Sequence, residues 1–61
     1  MIPTEKELLD FIKKNKLVNY SAIAKNFNIK NATVTDLIAS LEKKGVVEVK
    51  KLGGSNIVLI R

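Results

Sequence analysis

Between residues 21 and 47 two amphipathic helical patterns meet at a short polar turn, and this constrains the chain more than any other feature. Ser21-Ala-Ile-Ala-Lys-Asn-Phe spaces Ile23, Ala24 and Phe27 as one helical face. Downstream, Val34, Leu37, Ile38 and Leu41 fall at offsets 0, 3, 4 and 7, which predicts a helix over about residues 32–44. Asn28-Ile29-Lys30-Asn31 is the turn between them. Asn28 tolerates a left-handed backbone, and Ile29 is placed to plug the corner. Two helices with one apolar stripe each and almost no linker must pack against each other at an angle. Asn31 is the nearer N-cap candidate for the second helix, and Gly45 after Lys43-Lys44 is the expected stop.

The flanking segments supply the rest of a core. Thr4 followed three residues later by Glu7 forms a capping box, so a helix is predicted over Glu5–Lys14 with Pro3 before it. Leu8, Leu9, Phe11 and Ile12 make its buried stripe. Lys13, Lys14 and Lys16 crowd its C-terminal end, where either the helix dipole or a phosphate would favour them. Leu17-Val18 reads as a short extended link, and Asn19 as the N-cap of a helix over Tyr20–Phe27. Val46–Leu52 and Asn56–Arg61 read as two strands joined by Gly53-Gly54-Ser55, which supplies the positive φ angles of a hairpin turn. In the last strand Val58 and Ile60 share one face, and Ile57 and Leu59 the other.

Sixty-one residues hold one domain, here expected to span 1–61. At that size only about 60% of the unfolded surface can be buried. With no cysteine and no histidine, disulfides and the common metal ligands are excluded, along with the usual general base near neutrality. The six acidic residues are scattered, and Gly53-Gly54 lacks the following helix and Lys-Ser/Thr of a phosphate loop. No catalytic residue, metal site or cofactor is expected, and an enzyme is not. The net charge of +5 and the pI near 9.8 point to an anionic partner. No secretory signal is visible, and the apolar run Ile57–Ile60 is too short to span a bilayer, so a cytoplasmic protein without a membrane partner is expected.

Helix, short strand, helix, turn, helix and hairpin is an order that resembles the winged helix-turn-helix domain, an α+β (mainly α) fold of three helices plus a C-terminal β-hairpin wing. Ser21-Ala-Ile-Ala-Lys-Asn-Phe is similar to the second helix of MarR-type and Lrp-type regulators. Ala32-Thr-Val-Thr-Asp-Leu-Ile-Ala-Ser-Leu-Glu-Lys-Lys-Gly-Val-Val resembles their recognition helix and its exit into the wing. The resemblance implies that the Leu17-Val18 link pairs with the hairpin as a third strand. It also implies that the third helix enters a DNA major groove while the hairpin reaches the backbone or minor groove. A narrower likeness, to winged helices that bind left-handed DNA, fails at Thr35, Ala39 and Gly53-Gly54-Ser55, where their Asn, Tyr and Pro/Trp-bearing wing would fall.

The expected DNA-binding residues are Tyr20 and Ser21, then Lys30, Asn31, Thr33, Thr35, Asp36 and Ser40, with Lys50, Lys51, Ser55 and Asn56 on the hairpin. Relatives often carry arginine at the positions of Asn31, Asp36 or Ser40, whereas the single arginine here is Arg61. The bidentate Arg–guanine contact is therefore closed to the third helix, and lysines on phosphates are the easier source of affinity. A rival reading is a protein-binding adaptor, favoured by the weakly charged surface of Thr33, Asp36, Ala39 and Ser40. One face of the apolar last strand is expected in the core; the other is either covered within the domain or, on an exposed edge, offers a further surface for a protein partner or homodimer. RNA binding shares the charge argument but lacks a stacking platform, with two Phe and one Tyr.

Overall fold

The computed structural model describes residues 2–15 and 17–61. Its elements run α1 (Glu5–Lys14), β1 (Val18–Asn19), α2 (Tyr20–Phe27), α3 (Asn31–Lys44), β2 (Val47–Leu52) and β3 (Ser55–Ile60). The three helices and one three-stranded antiparallel sheet make the winged-helix arrangement expected from the sequence.

Local chemistry sets the helix ends. At α1 both halves of the capping box form: Glu7 N donates to Thr4 Oγ1 at 3.2 Å, and Thr4 N donates to Glu7 Oε1 at 2.8 Å. Ala22 N donates to Asn19 Oδ1 at 2.7 Å, capping α2. Asn28 takes the left-handed conformation at φ 54, and Gly45 closes α3 at φ 81. The start of α3 departs from expectation. Asn31 is its first helical residue, and the cap position belongs to Lys30, which makes no side-chain cap bond. The physical reason is that Lys30 is extended while its carbonyl already accepts from Val34 N at 3.1 Å, the first bond of the helical ladder. The expectation for Lys16 lies outside the described residues.

The hairpin closes more tightly than expected. Ser55 is not a turn residue; it pairs with Leu52 and starts β3. Gly53 and Gly54 alone make the loop, with φ 56 and 89, the doubly positive pair of a two-residue type I′ turn. The strand link also shifts by one residue: Leu17 is exposed, and Val18–Asn19 form β1. β3 lies in the middle of the sheet, in the order β1-β3-β2. The last strand is thus not an edge, because β1 pairs with it at Ile57 and Val58 while β2 pairs along its whole length.

Register decides what joins the core. Val18, Val58 and Val49 lie in one cross-strand row, and Val47 is two residues from Val49 on the same strand face. Val18, Val47 and Val58 are buried against Leu8 and Ile12 of α1, Ile23 and Ala24 of α2, and Val34, Ile38 and Leu41 of α3. Phe11 and Phe27 meet edge to face at 5.6 Å between centroids, tying α1 to α2. On the opposite face Ile57 sits between Asn19 and Lys50 and is still only 8% exposed, so that face does not present an open apolar stripe there.

Candidate nucleic-acid interface

Three buried side chains, Val34, Ile38 and Leu41, hold α3 to the core, with Leu37 half-buried beside them. With each residue turned by about 100°, the residues most nearly opposite that stripe are Ala32, Asp36, Ala39 and Lys43, all exposed. Thr35 and Ser40 are exposed on the shoulders of this row. Lys30 and Asn31 are exposed where the helix begins. Thr33 differs from expectation: it is half-buried, because its position lies toward the flank of the core stripe. The Thr35 hydroxyl donates to the Asn31 carbonyl at 3.0 Å.

Neither α2 nor α3 has an acidic residue in its first turn. Each N-terminus therefore keeps the partial positive charge of its free N–H groups, which favours anions. The α3 end is flanked by Lys30 and has no side chain on its orphan donors.

The sheet brings the start of α2 beside the tip of the wing. Asn19, Tyr20 and Ser21 line one wall of an open notch of about 240 Å³, and Gly54, Ser55 and Asn56 line the other. Ser21, Ser55 and Asn56 were readable one by one as polar surface residues, whereas Tyr20 reads from sequence either as a phosphate-contacting hydroxyl or as a packed aromatic, and it is half-buried against the core. Their convergence, and the membership of Asn19 and Gly54, follow from the β1–β3 pairing of Asn19 with Ile57. Burial pushes the half-buried Tyr20 phenol above its ordinary pKa, and the Glu42 carboxylate adds to the effect. The hydroxyl therefore stays protonated at neutrality as a hydrogen-bond donor.

Lys50 pairs with Ile57 and Lys51 with Asn56. As successive strand residues, the two lysines project from opposite faces of the ribbon. Lys51 shares a face with Val49, and Lys50 with the exposed Leu52 at the tip. Lys44 Nζ bonds Glu5 Oε1 at 2.7 Å, linking the last turn of α3 to the first turn of α1. Both groups are well exposed, so the pair contributes about 0–1 kcal/mol. Among the described residues no cluster of His, Cys, Asp or Glu could hold a metal ion, and no helix is long and apolar enough to cross a membrane.

An outward helix row, a cationic helix start and a lysine-bearing ribbon on one small scaffold define a winged helix-turn-helix domain of the kind that presents a helix to a double helix. Residues 3–54 match the model of the MarR family, and the chain belongs to that family of DNA-binding transcription regulators, which are not enzymes. No curated protein and no solved structure matches the chain.

Proposed function

We propose that residues 1–61 act as a single double-stranded-DNA-binding domain of a prokaryotic transcription regulator, working in the cytoplasm. The third helix, α3, enters the major groove. Lys30 and the wing lysines neutralise phosphates, and Tyr20, Ser21, Ser55 and Asn56 contact the backbone beside the notch. Asn31, Thr35, Asp36 and Ser40 are the groove-facing set, with the half-buried Thr33 at its margin. The observation that carries this reading is the exposed row Ala32-Asp36-Ala39-Lys43, which has no role in the core and lies on the same scaffold as the ribbon bearing Lys50 and Lys51. The likeness of Ser21–Phe27 to Lrp-type regulators supports the same use of the fold. Pairing of two such domains on one duplex is in keeping with the family.

Fluorescence anisotropy with a labelled duplex tests the proposal. Between about 50 and 200 mM salt, affinity should fall steeply, since each neutralised phosphate releases counterion. Lys50→Ala and Lys51→Ala weaken binding to all sequences alike. Because the two side chains project from opposite faces, one of them reduces the salt slope by about 1 and the other by less. Affinity independent of salt would refute the electrostatic mechanism. Absence of binding to any duplex, with capture of a protein partner that Asp36→Lys abolishes, would favour the adaptor reading.

A further inference from the structure

We propose that Asp36 is the base-selecting residue of this domain, its carboxylate accepting a hydrogen bond from the exocyclic amino group of a cytosine. The inference rests on α3 being the groove-facing helix.

Asp36 lies nearly opposite the Val34–Ile38–Leu41 stripe, at the centre of the exposed row. Its neighbours in that row, Ala32 and Ala39, carry methyl groups that neither hydrogen-bond nor hold a base edge away. Lys43 is about two turns further along. The ion pair present among the described residues joins Lys44 to Glu5 and leaves Asp36 out. Next to it, the Thr35 hydroxyl spends its proton on the Asn31 carbonyl at 3.0 Å, so toward a ligand it can only accept. Asp36 and Thr35 thus present acceptors side by side, and the nearest exposed hydroxyl donor, Ser40, lies one turn further on.

The edges of the bases sort themselves against such a surface. Guanine shows two acceptors, O6 and N7, which repel a carboxylate. Adenine shows a donor, N6, flanked by its own N7 and by thymine O4, both acceptors. Cytosine N4 has an acceptor on one side and a C–H on the other, so a carboxylate meets the least opposition there. An anion lodged in a groove between phosphates is costly unless it finds that donor, and the cost at other bases is what generates selection.

Selection from a randomised duplex pool, followed by sequencing, tests this for the wild type, Asp36→Ala and Asp36→Asn, with circular dichroism confirming that these exposed-site variants fold. The wild-type profile should hold a position where cytosine is preferred by about fivefold or more. Asp36→Ala should flatten that position while overall affinity for the pool holds or rises. Asp36→Asn should move the preference toward adenine, whose N6 and N7 match a carboxamide. Identical profiles for wild type and Asp36→Ala would overturn the assignment, as would a uniform rise in affinity, which would make Asp36 a phosphate repellent only. Failure of all three proteins to retain any duplex would defeat the DNA-binding reading itself, a result distinct from retention without base preference.

Discussion

Asn28 and Ile38 show two ways in which one side chain fixes this fold. Asn28 turns the chain between α2 and α3 at φ 54, where most side chains crowd the carbonyl that follows. Asn28→Gly should leave stability unchanged or slightly raised, while Asn28→Ala should lower it by about 1 kcal/mol, as read from urea midpoints. Ile38 is fully buried. Ile38→Ala should cost about 2–5 kcal/mol, comparable with the whole stability of a domain this size. Loss of a cooperative thermal transition would be the outcome. Tyr20 carries a pH signature. Its folded pKa lies above the unfolded value, so its contribution to stability is complete below about pH 10 and is lost as pH rises through the folded pKa. Tyr20→Phe should flatten that alkaline decline in denaturation curves. Residues of this kind were legible where one amino acid has one physical reason to be there, as with Asn28 and Gly45. Asn31 reads as a cap because Asn favours that position, yet it is the first helical residue. The carbonyl of Lys30, already bonded to Val34 N, sets the cap one residue earlier.

Elements followed from period. Helical spacing placed α1 and α2 at their observed bounds and α3 within one residue, since each has an apolar stripe and a chemical stop. The strands shifted by a residue at their ends, because ladder pairing, which no single strand encodes, decides where a strand begins. The two-residue Gly53–Gly54 loop has open space where either Cβ would project. Gly53→Asn suits the first position of a type I′ turn and removes freedom from the unfolded chain, so it should hold or raise stability by a few tenths to about 1 kcal/mol. Gly54→Val should lower stability and loosen the ribbon, seen as faster amide exchange in β2 and β3. The family likeness implied that the Leu17-Val18 link pairs with the hairpin, without saying which hairpin strand lies in the middle, and the strand's own apolar sequence left an edge and a covered position both open. The pairing of β1 with β3 and the burial of Ile57 between Asn19 and Lys50 decide for the covered position.

At the scale of the whole molecule, what the sequence left unread is long-range. The Lys44–Glu5 contact joins residues 39 apart, and the notch joins the start of α2 to the tip of the wing. Neither has a periodic signature, since both depend on how finished elements dock. Charge was legible as a total of +5, and strand alternation already separates Lys50 from Lys51, but what lies beside each lysine was not, for that needs the register. One residue links these levels. Asn19 pairs with Ile57 in the sheet and, through its own side chain, seals the opening turn of α2. The wing and the head of α2 are thus moored at one residue, so Asn19→Ala should unmoor the head of α2 from the ribbon, read as faster amide exchange in its first turn.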